Sequence, residues 1–139
     1  MINAPLQETV RPLIAVVDDD ASLLRSVARL LRSDGYEVVT FGGTQELIAA
    51  LPGLKPRCLV LDVHMPEMSG LELQELLAIR GRCPPTIFMT AHDTPQTRDR
   101  ALQAGSFGLL VKPFDKMELL NAISEALRLS LPVKKVIKA

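Results

Sequence analysis

The chain predicts an α/β fold, a single domain doubly wound around a parallel sheet, and three observations carry that expectation. Short apolar runs alternate with stretches of helical periodicity, the pattern of successive βα units. The run Cys58-Leu59-Val60-Leu61 is continuous rather than alternating, as expected of a strand covered on both faces. Polar residues able to do chemistry stand at the carboxyl ends of the runs: Asp18 and Asp19, Asp62, Thr90, and Lys112. In an open parallel sheet, groups at those ends converge on one crevice.

Leu13–Val17 is the first strand, followed by a helix whose apolar face is Leu23, Leu24, Val27, Leu30 and Leu31. Asp34-Gly35 stops that helix, with Gly35 suited to the position after the cap. Glu37–Phe41 follows as a second strand with the polar alternation of a sheet edge. Thr44 is the expected cap of a short helix that ends at Pro52-Gly53. Cys58–Asp62 is the third strand. Ser69 and Glu72 have capping-box spacing and open a helix over 71–80. Thr86–Met89 is the fourth strand, and Thr94-Pro95 supplies a cap and a first-turn proline for a helix ending near Gly105. Gly108–Val111 is the fifth strand. Asp115 and Glu118 open the last helix, whose core face carries Leu120, Ile123 and Leu127. The organisation is an N-terminal extension (1–12), one domain (13–130) and a tail or linker (131–139). The tail's lysines, Lys134, Lys135 and Lys138, suit a solvated end better than a nucleic-acid contact.

Composition narrows the function. A chain of 139 residues that is 47% hydrophobic can bury one core and is not a disordered segment. Sixteen basic residues balance sixteen acidic ones, so no global field draws this segment to nucleic acid. Cys58 and Cys83 lack metal-ligand spacing and are expected to be ordinary reduced thiols of a cytoplasmic protein. No apolar run approaches membrane-spanning length.

Three carboxylates, a hydroxyl and an ammonium gathered at one sheet edge suit a phosphoryl group and a divalent cation. Magnesium takes oxygen ligands from one or two carboxylates, water and phosphate. Asp18, Asp19, Asp62 and the main-chain carbonyl of His64 can offer them to Mg2+ or Mn2+. Asp62 stands alone on the central strand and fits a carboxylate nucleophile that would form an aspartyl phosphate. Thr90 and Lys112 would then neutralise the equatorial oxygens. Each corner has an ordinary alternative. Asp20, or its neighbours, can simply cap the first helix; Thr90 can be structural; Lys112 can be a surface lysine. A cis bond at Lys112-Pro113 would aim that lysine inward. Their joint occurrence, each at a strand's end, favours the site.

The segments Val16-Val17-Asp18-Asp19, Leu61-Asp62-Val63-His64-Met65-Pro66-Glu67-Met68-Ser69-Gly70-Leu71, Met89-Thr90-Ala91 and Val111-Lys112-Pro113-Phe114 resemble the receiver domain of bacterial two-component response regulators. The phrasing is most similar to receivers of the nitrogen-fixation regulator type, which carry a C-terminal helix-turn-helix. The resemblance implies a flavodoxin-like (βα)5 sheet with strand order 2-1-3-4-5. It also implies a histidine kinase that donates to Asp62, and an output domain or effector, with transcription the expected output. The domain would be a phosphoacceptor rather than a turnover enzyme, limited to its own phosphorylation and dephosphorylation. The output face would comprise the helix from Thr94, the strand Gly108–Val111 and the helix from Asp115, and phosphorylation would promote a homodimer or release an effector domain through it.

One departure concerns the switch. Leu109 occupies the strand position where the family commonly has an aromatic residue, and alternation puts Phe107 on the same face as a substitute. Ala91 is small, as in the family, and leaves room beside Thr90. His64 and His92 fall at positions that the resemblance puts at the mouth of the site, where they are expected to tune the phosphoryl lifetime near neutral pH. Two other readings compete. A haloacid-dehalogenase-like phosphohydrolase would use Asp18-Asp19-Asp20 but leaves Asp62 unexplained. A receiver-like module that binds without phosphorylation would not need the complete set.

Overall fold

The computed structural model describes residues 11–129. The expected extension and tail lie mostly outside the described residues. Five parallel strands form one sheet: β1 (Leu13–Val17), β2 (Glu37–Phe41), β3 (Cys58–Asp62), β4 (Thr86–Thr90) and β5 (Gly108–Val111), in the order β2-β1-β3-β4-β5. The helices are α1 (Ala21–Ser33), α2 (Thr44–Ala50, continued by a 3-10 turn at Leu51–Gly53), α3 (Gly70–Ile79), α4 (Pro95–Gln103) and α5 (Lys116–Leu129). This is the flavodoxin-like order expected. No described helix is long and apolar enough to cross a membrane.

Strand alternation divides the core in two. Ile14, Val16, Val60, Ile87 and Met89 pack with Val27 and Leu31 of α1 and with Leu119 and Ile123 of α5. Ala15, Val17, Leu59, Leu61 and Phe88 pack instead with Leu47 of α2, Leu71, Leu73 and Leu77 of α3, and Ala101 of α4. The central strands β3 and β4 are buried along their whole length, so their apolar runs are continuous. The edge strand β2 is exposed at Glu37 and only partly covered beyond it.

Local signals account for most of the boundaries. Asp20 caps α1, its carboxylate accepting the Ser22 and Leu23 amides. Gly35 follows α1 at φ +97°, a left-handed conformation that glycine adopts without a Cβ penalty. Ser69 and Glu72 form the full reciprocal capping box. Thr94 accepts the Thr97 amide, with Pro95 at the start of α4. The α2 cap is a correction. Gly43, not Thr44, is the capping residue, and Thr44 is the first helical residue. Its side chain points into the core at 1% exposure, and Oγ1 has no hydrogen-bond partner. Burial of the methyl group has prevailed over capping.

Candidate functional site

The carboxyl ends of β1, β3, β4 and β5 bring Asp18, Asp62, Thr90 and Lys112 to one crevice, because adjacent parallel strands end in register. Val17 pairs with Leu61, Asp62 with Met89, and Thr90 with Val111. Asp18, Asp62 and Thr90 are buried, while Asp19 is exposed. Carboxylate oxygens of Asp18, Asp19 and Asp62 lie within 4.8 Å of one another.

Lys112 is the counterion. Its Nζ donates to Asp18 Oδ2 at 2.6 Å and stands 3.4 Å from Asp62 Oδ1. The Lys112-Pro113 peptide is cis. Burial opposes the charge on Lys112, but the hydrogen bond to Asp18 and the charges of Asp62 and Asp18 outweigh it and hold the ammonium above the ordinary lysine range. Asp62 is pushed above the usual carboxylate range, first by burial and then by the charge of Asp18; Lys112 and the His64 amide offset this in part. The site therefore crowds negative charge that one lysine does not fully compensate. Such a donor set, oxygen-only and electron-rich, fits a hard divalent cation.

The supporting bonds are main-chain. The Asp20 amide donates to Asp18 Oδ1 at 2.9 Å, and the His64 amide reaches Asp62 Oδ1 at 3.4 Å. The Val63 amide bonds Met89 O, and the Lys112 amide bonds Thr90 O. The Thr90 hydroxyl both donates to His92 O and accepts from the His92 amide, each at 3.0 Å.

The sequence-predicted residues at the mouth are brought together. Ala91, His64 and His92 are exposed, and the two imidazoles are neighbours, with ring centres 5.3 Å apart and planes tilted by 55°. The predicted substitute at the switch is not. Leu109 pairs with Phe88 and packs against the core layer under α2 to α4, whereas Phe107 packs against the opposite layer. Phe107 precedes the strand, and its amide bonds Thr86 O at the amino end of β4, the end opposite Thr90. Period-two alternation does not extend to it.

Sequence reasoning missed Gly70. A Cβ there would collide with the main-chain oxygen of Asp62, so α3 starts in direct contact with the strand end. The available signal was a glycine immediately after the Ser69 cap.

Residues 14–124 match the family described as response regulator receiver domain. The chain belongs to the response regulator receiver family. This receiver is 41% identical over 121 residues to nodulation protein W of Bradyrhizobium diazoefficiens, covering 86% of this chain and 53% of that protein. It is 40% identical over 124 residues to the response regulator protein TmoT of Ectopseudomonas mendocina, covering 89% and 55% respectively. The chain thus spans about half the length of these relatives. The crystal structure of a response regulator receiver protein from Burkholderia phymatum is similar at TM-score 0.76 and 40% identity, covering 88% of this receiver and 99% of that chain. Receiver domains bind Mg2+ at an acidic pocket and act in two-component signalling between histidine kinases and output domains.

Proposed function

We propose that Asp62 is the phosphoacceptor of this receiver and that Asp18, Asp19, Asp62 and the His64 carbonyl hold Mg2+ or Mn2+ beside it. The observation that carries the reading is Lys112 Nζ, set between Asp18 and Asp62 at the end of the central strand. A carboxylate oxygen of Asp62 attacks the phosphorus of a kinase phosphohistidine. The P–N bond breaks, and its electron pair returns to the imidazole nitrogen. The metal, when bound, supplies charge neutralisation of the transferring oxygens. Lys112 supplies more of the same charge, and Thr90 offers a hydroxyl to a phosphoryl oxygen. The domain catalyses only its own modification and its reversal. The His64 and His92 rings, with the small Ala91, control access of water to the adduct.

Phosphorylation adds about −1.5 to −2 charges at this point. The proposed response is an inward shift of the loops after β4 and β5, repositioning the α4-β5-α5 face. Leu102 on α4 and Met117 on α5 are 77% and 49% exposed, which suits that face for pairing with a second copy. Relatives named as transcriptional regulatory proteins support a DNA-binding output, attached or partnered, in the cytoplasm with the kinase. The hydrolase reading leaves Asp62 without a role, and the Asp20 carboxylate it would use caps α1.

Intact mass after incubation with Mg2+ and acetyl phosphate, beside an Asp62→Asn control, tests the acceptor. One adduct in the wild type alone is expected; an adduct on the variant, or none on either, refutes it. Sedimentation with and without beryllofluoride tests the dimer, and an unchanged profile removes it.

A further inference from the structure

A second cavity lies at the amino end of the sheet, between the segments that lead into β3 and β4. Its volume is about 550 Å³. This falls in the range of small-molecule sites, roughly 300–1,000 Å³. Part of its lining is apolar, with Leu51, Leu54 and Leu77. The remainder carries Lys55, Arg57, Arg80 and Arg82, and no carboxylate of the described residues lines it. The ion pairs among the described residues are Arg98–Asp93, Lys112 with Asp18 and Asp62, and Arg128–Glu125. None involves these four cations, which are all exposed.

In a chain of zero net charge, four cations outside those pairs around one concavity are a local excess that focuses the field there. Prolines 52, 56, 84 and 85 also line it, and their fixed φ angles hold the walls. A preformed wall lowers the ordering cost of binding. Nucleic acid is a poor match, since no aromatic side chain of the described residues lines the cavity for a base to stack on. We propose that this cavity binds a small amphipathic organic anion. Its apolar body lies against the half-buried Ile48, Leu51 and Leu54, and its carboxylate, sulfonate or phosphate head meets the guanidinium groups.

The site is independent of the phosphoacceptor proposal. Arg57 leads into β3 and Asp62 ends it, so the two are separated by the length of the strand, five residues. At about 3.3 Å per residue that is roughly 17 Å.

The test uses the 139-residue chain and 8-anilino-1-naphthalenesulfonate as probe. Fluorescence titration at low salt is expected to saturate with a dissociation constant on the order of tens of micromolar. N-phenyl-1-naphthylamine, which lacks the sulfonate, is expected to bind about tenfold more weakly, and so is the sulfonate to the Arg57→Gln/Arg82→Gln variant. Amide NMR shifts on the wild type, which do not depend on the variant folding, are expected within 51–57 and 77–85. Absence of saturable binding, shifts mapping elsewhere, or equal affinity for the neutral probe overturns the proposal. So does a result in which only an acidic peptide of alternating Glu and Leu moves those amides, because the surface would then belong to a protein partner.

Discussion

Lys112→Ala tests the charge balance of the site directly. The ammonium is 2.6 Å from Asp18 and 3.4 Å from Asp62, with its side chain 21% exposed and those of the aspartates at 0% and 5%. At an effective dielectric of about 20, the 3.4 Å pair alone has a gross attraction of about 5 kcal/mol. Removing one partner of a buried pair costs about 3–5 kcal/mol, since the other charge is left uncompensated. Partial exposure of the lysine lets water into its place, so the expected loss is about 2–3 kcal/mol. Urea denaturation in EDTA measures it.

Magnesium should restore much of that loss, because it occupies the same negative potential. At about a hundredfold excess over its dissociation constant, a ligand specific to the native state adds about 2.7 kcal/mol. The variant should gain more from Mg2+ than the wild type, since no ammonium competes with the ion for the carboxylates. In an Asp62→Asn background, Lys112→Ala should cost less, with a coupling of about 1–2 kcal/mol. A loss below about 0.5 kcal/mol in EDTA, the scale of an ordinary surface substitution, would refute the reasoning. Equal magnesium stabilisation of both proteins would refute it as well.

Gly70→Ala drives a Cβ into the Asp62 carbonyl, so α3 must move off the strand end; the expected cost is about 1–3 kcal/mol by chemical denaturation, with slower phosphorylation. Burial pushes the Cys58 thiol up to about 12 from 9.0. The native state therefore keeps a proton that the unfolded chain releases, and its contribution is fully present below pH 9 and lost as pH rises towards 12. That slope is at most about 1.4 kcal/mol per pH unit. Cys58→Val should flatten it, and identical alkaline profiles would exclude the thiol as its source. Replacing both His64 and His92 with alanine should uncover the site mouth and speed decay of the phosphoryl adduct severalfold; unchanged decay by intact mass would remove the pair from that role.

The strands were legible because β3 and β4 are buried on both faces and therefore carry unbroken apolar runs. Caps were legible where a side chain had nothing better to do. Asp20 and Ser69 lie at accessible helix ends, whereas Thr44 was drawn into the core and left capping to the Gly43 backbone. The convergence of Asp18, Asp62, Thr90 and Lys112 was legible for a topological reason: parallel strands in register deliver residues far apart in sequence to one edge. Alternation does not place Phe107, because it precedes the first residue of β5. The role of Gly70 is not legible in the sequence, because it depends on how near α3 approaches Asp62, a packing distance that no local pattern encodes.

Thr90 bounds how strong the proposed switch can be. Its hydroxyl is already satisfied twice by the His92 main chain, as donor and as acceptor. To meet a phosphoryl oxygen it must give up the donor bond and exchange a neutral partner for a charged one. An ordinary hydrogen bond contributes about 1 kcal/mol net, and one to a charged group about 1.5–3 kcal/mol. The exchange is therefore favourable by only about 1 kcal/mol, several-fold in population. Leu109 adds no hydroxyl that a displaced loop can capture, and Phe107 lies at the far end of β4, so neither enlarges that bias. The remaining drive must come from the charge added beside Lys112. Thr90→Ala should accordingly leave phosphorylation intact and reduce the beryllofluoride-induced response only several-fold, whereas Lys112→Ala should nearly abolish it.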